Sequence, residues 1–183
     1  MNDLPSESDR QLLEHIRLGS NAAEPAFRVL YDRHVRRLLA YCTKVMGGQQ
    51  QARDIVQDGY MKLLLAIRKG EQIDNVGAYL MRVARNGCLN MKRDHRETLM
   101  DIEDLGLTSH DIPYETIEIQ RLVNTALDQL PEQYREALLL QMYGGLSYAE
   151  ICEVTGNSLP SVRHHIARAK QRLRAALIPI LRP

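Results

Sequence analysis

The chain has 183 residues, with 24 Lys and Arg against 23 Asp and Glu for a formal net charge of +1. Its 44% hydrophobic and 26% charged content is that of a soluble globular protein of one domain or two small ones. One Phe and no Trp argue against a large aromatic-lined pocket, no apolar run approaches the ~18 residues of a membrane span, so no membrane insertion is expected, and the polar, acidic start MNDLPSESDRQLLEH is not a secretory signal.

Helical periodicity runs through nearly the whole chain, and strand signals are nearly absent. Residues 8–18 predict a short helix. A longer one spans 23–46, with Phe27, Leu30, Tyr31, Leu38 and Tyr41 at helical spacing, and Gly47-Gly48 stops it. The third runs from about 50 to 67, with Ile55, Val56, Tyr60, Leu63 and Leu64 on one side. RKGEQIDNVG, residues 68–77, reads as a loop before a fourth helix over about 78–96. Cys42, Cys88 and Cys152 are widely spaced and form no CxxC or Cys/His cluster of zinc spacing, so no metal and no cofactor is expected. They read as reduced packing thiols of a cytosolic protein, a redox switch being the sharper alternative.

Composition changes next. Residues 98–120 hold six acidic residues and no Lys or Arg, with Gly106, Ser109 and Pro113 as breakers, which predicts a flexible acidic linker. Beyond it Ile119, Leu122, Val123, Ala126, Leu127 and Leu130 share a helical face. Pro131 suits the first turn of the next helix, which runs through Tyr143 to Gly144-Gly145. Ser147 and Glu150 form an S-x-x-E capping box that opens a short helix ending at Thr155-Gly156. Ser158 caps the last helix, with Pro160 in its first turn. Leu159, Val162, Ile166, Ala169 and Leu173 line its buried face, and Pro179 ends it. The fold class is therefore all-α, with helical domains over 1–97 and 119–183 joined by the linker 98–118.

From Ser161 onward there are six Lys and Arg and no acidic residue, although the whole chain is nearly neutral. A short helix, a tight Gly turn and a longer helix is helix-turn-helix geometry. Ser161, Arg163, His164, Ala167 and Arg168 are expected on the outward face near the start of the second helix, where a recognition helix meets base edges in the major groove. His165, Lys170, Arg172 and Arg174 are expected at its sides, toward phosphates. Cations near a helix C-terminus are also favourable by the dipole alone, which leaves a plain solvated face open for Lys170, Arg172 and Arg174. Adjacent His164 and His165 diverge on a helix and make no metal site.

The fourth helix, VGAYLMRVARNGCLNMKRDHRE, is the other informative stretch. Leu80, Val83, Ala84 and Cys88 form its inward strip, while Arg82, Arg85, Asn86, Asn90, Lys92 and Arg93 lie elsewhere. Asn both donates and accepts, which suits the edge of an unpaired base, and nearby cations suit a single strand's backbone. A basic solvated helix accounts for the same residues. In the third helix Asp54, Gln57 and Asp58 share a polar face at i, i+3 and i+4, fit either for a basic partner helix or for water.

Three stretches together resemble a bacterial RNA polymerase sigma factor of the extracytoplasmic-function group. QARDIVQDGYMKLL is similar to the family's region 2.2 pattern, D-A-E-D-x-x-Q-E-x-F. AYLMRVARNGCLNMKR resembles its W-L-x-R-I-A-x-N segment. LDQLPEQYREALLLQMYGGLSYAEICEVTGNSLPSVRHHIARAKQRL resembles its region 4 over a long, specific match. The resemblance covers roughly 23–96 and 119–178. It implies that Asp54, Gln57 and Asp58 dock on the beta-prime clamp helices of core RNA polymerase, with the beta flap as a further contact. It implies that the fourth helix and its preceding loop read the minus-10 element as single strand, with Asn86 at the position of the flipped-base pocket and Tyr79, Arg82, Asn90, Lys92 and Arg93 around it. The last helix is then the reader of duplex minus-35 DNA through Ser161, Arg163, His164, His165, Ala167, Arg168, Lys170 and Arg172. A cytoplasmic, nucleoid-associated location and control by an anti-sigma factor are implied in the same way. Tyr79 stands where the family commonly has Trp, Arg53 replaces an acidic residue, and His164-His165 replaces Ser-Arg.

Two other readings use fewer of these residues. A stand-alone helix-turn-helix regulator explains 131–178 and leaves the first half idle. A polymerase-binding adaptor that does not read DNA explains Asp54 and Asp58 alone. An enzyme is the weakest reading, since no P-loop, HExxH, Gly-rich nucleotide turn or paired catalytic constellation is present in the sequence.

Overall fold

The computed structural model describes residues 4–98 and 114–181, with side chains placed over 4–94 and 118–179. Among the described residues the regular structure is a 3-10 turn, Leu4–Ser6, and α-helices, with no strand. The chain divides into two compact units between residues 102 and 103.

The first unit holds α1 (Asp9–Arg17), α2 (Ala23–Met46), α3 (Gln49–Arg68) and α4 (Val76–Thr98). Helices α2, α3 and α4 pack against one another, and α1 lies on α2 and touches α3. A capping box not anticipated from the sequence opens α1: Ser8 Oγ accepts from the Gln11 amide and the Gln11 side chain accepts from the Ser8 amide. The expected periodicity of α2 and α3 becomes the core, with Leu30, Leu38, Tyr41, Ile55, Val56, Tyr60 and Leu63 all buried. Each fully buried aliphatic side chain contributes about 1.5–3 kcal/mol. Tyr31 departs from this pattern and remains 39% exposed. Helix α4 begins two residues before the expected start, because Asn75 caps it: Asn75 Oδ1 accepts the Ala78 amide at 2.9 Å. Gly77, read as loop, lies inside that first turn. Further along, Gly87 is the close approach of α4 to α3, since a Cβ there would sit 3.0 Å from Ile55 Cγ2.

The second unit holds α5 (Tyr114–Asp128), α6 (Glu132–Met142), α7 (Tyr148–Thr155) and α8 (Leu159–Leu181). Helices α5, α6 and α7 all pack on α8. Of the acidic linker, residues 99–113 lie outside the described residues, and 114–118 are helical as the start of α5. Ile119 is 48% exposed and does not join the buried face of Ala126, Leu127 and Leu130. Pro131 precedes α6 as its N-cap rather than entering its first turn. The Ser147–Glu150 capping box is present, with Glu150 Oε2 accepting the Ser147 amide at 2.8 Å and Ser147 Oγ accepting the Glu150 amide at 3.3 Å. Gly156 ends α7 at φ 75°, the left-handed conformation that makes the sharp turn into α8.

Val162, Ile166 and Ala169 of α8 are buried as expected. Leu159, the first residue of the helix, is not, at 39% exposure. Nor does Pro179 end α8, which continues to Leu181. A proline here cannot donate to the Ala175 carbonyl and its ring crowds it, and only two helical residues follow.

Candidate nucleic-acid and polymerase interfaces

In the first unit, α4 presents two unlike faces. Val76, Leu80, Met81, Ala84 and Cys88 are buried toward α2 and α3. Tyr79, Arg82, Asn86, Asn90 and Arg93 follow one another at steps of three or four residues, which places them within an arc of about 80° on the opposite side. All but the half-buried Tyr79 are exposed. The stripe begins with a stacked pair, Arg82 Cζ lying 5.7 Å from the centroid of the Tyr79 ring. Burial, and then the negative charge of Glu71, push the Tyr79 phenol above its ordinary value, so it is a neutral donor. A flat aromatic carrying a cation is suited to stacking on a base. Arg93 lies 3.7 Å from Asp94, an exposed pair of little energetic weight. Lys92 departs from the expected grouping. It sits around the helix from the stripe, close enough to Cys88 for its charge to favour that thiolate.

Cys42 and Cys88 are buried and share a hydrogen bond between α2 and α4, which with burial pushes the Cys42 thiol strongly up, whereas Cys152 is half-buried.

Asp54, Gln57 and Asp58 are all exposed on one side of α3. Asp54 accepts from Gln50 Nε2 at 3.2 Å, and Asp58 pairs with Lys62 at 2.7 Å. Such exposed pairs are worth about 0–1 kcal/mol and yield easily to a cationic partner. Beside them runs a groove of about 500 Å³ lined by Phe27, Tyr31, Arg53, Gln57, Tyr60 and Met61, among others. It is built on an aromatic cluster, with Tyr31 and Tyr60 centroids 4.7 Å apart and Phe27 edge-on to Tyr60 at 5.9 Å. Tyr60 donates to the Tyr31 carbonyl at 3.1 Å, and burial keeps its phenol protonated. The sequence marked these aromatics only as core, since periodicity does not tell a buried ring from one at the lip of a groove.

In the second unit, Arg163, His164, Ala167, Arg168, Lys170 and Arg172 of α8 are exposed. Ser161 is half-buried, and its hydroxyl lies 2.8 Å from that of the capping Ser158. Arg168 donates to Gln171 Oε1 at 3.1 Å. Tyr134 of α6, absent from the expected site, organises one flank. Its ring lies 5.5 Å from His165 and 6.1 Å from His164, and Arg172 Cζ lies 5.7 Å from its centroid. His165 thus packs against α6, half-buried with its Nδ1 atom shielded, instead of pointing toward a phosphate. Lys170 faces the other way. With Arg174 it rims an apolar groove of about 460 Å³ formed by Leu138, Met142, Leu173, Leu177 and Ile178. No His, Cys, Asp and Glu grouping among the described residues is arranged to hold a metal, and no described helix is long and apolar enough to cross a membrane.

Fold and sites together define a two-module, all-helical DNA-binding protein. Residues 30–98 match the family model of Sigma-70 region 2, and residues 120–173 that of Sigma-70, region 4. The chain is 31% identical to the ECF RNA polymerase sigma factor SigL of Mycobacterium tuberculosis, across 87% of this chain and 93% of that one. It is 29% identical to the RNA polymerase sigma-H factor of Pseudomonas aeruginosa, across 98% of both. In three dimensions it is similar to CnrH, solved with the cytosolic domain of CnrY, at a TM-score of 0.71 and 24% identity over 93% of this chain and 97% of that one. It is also similar to the sigma factor RpoE of Bartonella quintana, solved with the anti-sigma factor NepR, at a TM-score of 0.67 and 25% identity over 82% and 96%. The chain belongs to the extracytoplasmic-function (ECF) family of RNA polymerase sigma factors. It is a transcription initiation factor that binds core polymerase and directs it to promoters.

Proposed function

We propose that the α4 stripe reads the minus-10 element as single strand and that α8 reads the minus-35 element as duplex, while Asp54, Gln57 and Asp58 hold the beta-prime clamp helices. Residues 1–97 then form the polymerase and minus-10 module, and 119–183 the minus-35 module. The observation that carries this reading is the stripe itself. Tyr79, Arg82, Asn86, Asn90 and Arg93 line up on a mostly exposed face of α4, opposite buried Leu80, Ala84 and Cys88. Asn86, at its middle, supplies one donor and one acceptor to an extruded base. Arg168 and His164 near the start of α8 supply the groove-facing contacts, and Arg172, steadied on Tyr134, supplies a phosphate contact. His165 is assigned a packing role. The apolar groove between α6 and α8 is assigned to the beta flap.

Flipping a base costs a few kcal/mol, more than one small module recovers unaided. Core polymerase therefore supplies binding surface, and two weak DNA contacts on a linker become strong when both engage. The protein performs no chemistry of its own and acts in the cytoplasm at the nucleoid. RpoE of Bartonella quintana was solved with the anti-sigma factor NepR, and an anti-sigma factor is assigned here to the same faces that meet polymerase.

The test is Asn86→Ala and Arg168→Ala in promoter-specific transcription with core polymerase. Asn86→Ala is expected to reduce open-complex formation and leave core binding intact. Arg168→Ala is expected to weaken minus-35 use by about 1–3 kcal/mol. Equal loss of core binding in Asn86→Ala refutes the minus-10 assignment, and unchanged transcription in Arg168→Ala refutes the placement of the recognition helix.

A further inference from the structure

Helix α1 matches no motif, and a stabilising lid is the simplest role for it. Leu12 and Leu13 are indeed buried beneath it. Two polar arms reach further. At the C-terminal end, Arg17 Nη2 donates to the carbonyl of Glu71 at 3.0 Å, across 54 residues of sequence, while Nη1 meets Glu14 at 3.3 Å. Glu71 lies in the α3–α4 connection, close enough to Tyr79 for its charge to act on the phenol. At the N-terminal end, Asp9 accepts from Arg33 and from His34 Nε2, the latter at 2.7 Å. The other side of the His34 ring faces the first turn of α4. A Cβ at Gly77 would lie 3.3 Å from His34 Cε1 and 3.4 Å from Nδ1. One helix thus holds both the connection leading into α4 and the turn on which α4 starts.

We propose that α1 is a positioning element for promoter reading, with Arg17 fixing the α3–α4 connection and the Asp9–His34 pair seating the first turn of α4, so that Tyr79 and Arg82 meet the DNA already in place. The inference rests on the assignment of the α4 stripe to the minus-10 element. Arg17 is a positioning residue that acts through a backbone carbonyl. A tethered connection loses less conformational freedom on binding, so the tie appears in DNA affinity and base preference rather than in polymerase affinity.

The test uses full-length Arg17→Ala, Arg17→Lys, Asn86→Ala and Leu38→Ala, the last a core truncation outside both arms. Each is assembled with core polymerase. The probe is a non-template single-stranded oligonucleotide carrying the minus-10 element of a promoter recovered by run-off transcription, along with single-base exchanges of it. Arg17→Ala is expected to lose about tenfold in affinity for the oligonucleotide, about the cost of ordering one backbone residue of the freed connection, and to flatten the base preference. Core affinity and the thermal midpoint are expected to stay at wild-type values, and Arg17→Lys is expected to recover part of the loss. Unchanged affinity and preference in Arg17→Ala, beside an impaired Asn86→Ala, overturn the positioning role and leave the stripe standing. If both variants are silent, the stripe assignment falls and takes the inference with it. If Leu38→Ala flattens the base preference as Arg17→Ala does, α1 only stabilises the unit and the proposal is wrong.

Discussion

Replacing Ile166 by Ala tests how the recognition helix is held. Ile166 is 1% exposed and sits between Val162 and Ala169, each fully buried, on the face of α8 that meets the rest of its unit. The substitution removes three carbon groups at about 0.8 kcal/mol each and leaves a cavity, for a total of roughly 2–5 kcal/mol. A domain of this size has a stability of about 0.05–0.15 kcal/mol per residue, so a loss of that order consumes much of it. In urea titration followed by far-ultraviolet circular dichroism and by proteolysis, the transition of the second unit is expected to move down by about 2–5 M, given a slope near 1 kcal/mol/M. The transition of the first unit is expected not to move, since distant sites contribute independently. A loss under about 1 kcal/mol, with α8 as ordered as before, refutes the packing described here.

Ser147→Ala removes the capping box of α7, an eight-residue helix, and is expected to cost about 1 kcal/mol and lower the midpoint of the second unit by about 4–8 °C. Calorimetry checks it, and a shift no larger than that of an exposed Ser→Ala control contradicts it. Asp9 is expected to make the first unit acid-sensitive. Burial alone raises its pKa, but hydrogen bonding and charge from His34, then Arg33, outweigh that and hold it below the ordinary 3.8. Its contribution is therefore complete above the unfolded pKa and is lost as pH falls through the lower folded one. Asp9→Asn is expected to cost roughly 1–2 kcal/mol near neutral pH, with the gap to wild type closing below about pH 4. A gap that stays constant down to acid-induced unfolding contradicts the sign. Promoter affinity of the assembled holoenzyme is expected to fall steeply with salt, each neutralised duplex phosphate adding about 0.9 to the log–log slope. Arg172→Ala is expected to reduce that slope by about one, and an unchanged slope removes Arg172 from the phosphate contacts.

The helices were readable because their signals are local. Periodicity in 23–46, the S-x-x-E box at Ser147 and the glycine at 156 each act within a turn or two of chain. Errors arose at helix ends and where an outcome depends on contacts distant in sequence. Gly77 looked like a loop residue until Asn75 capped the helix around it. Pro179 looked like a terminator, yet α8 runs two residues beyond it. His165 looked like a phosphate ligand because helical spacing puts it at the side of the recognition face, and only the packing of α6 reveals Tyr134 beside it. The polar arms of α1 had no signature at all, since Arg17 meets a carbonyl 54 residues away. Among the proposed site residues the stripe of α4 was present in the spacing, and so was its separation from Lys92, which the resemblance had grouped with it.

The most direct measurement is run-off transcription with bacterial core polymerase on a genomic fragment library, with and without this chain. The expected result is RNA starting at a small set of defined sites only when the chain is present, each preceded by shared minus-10 and minus-35 sequences. Transcripts that start at the same positions in its absence, or no defined start in its presence, contradict the reading.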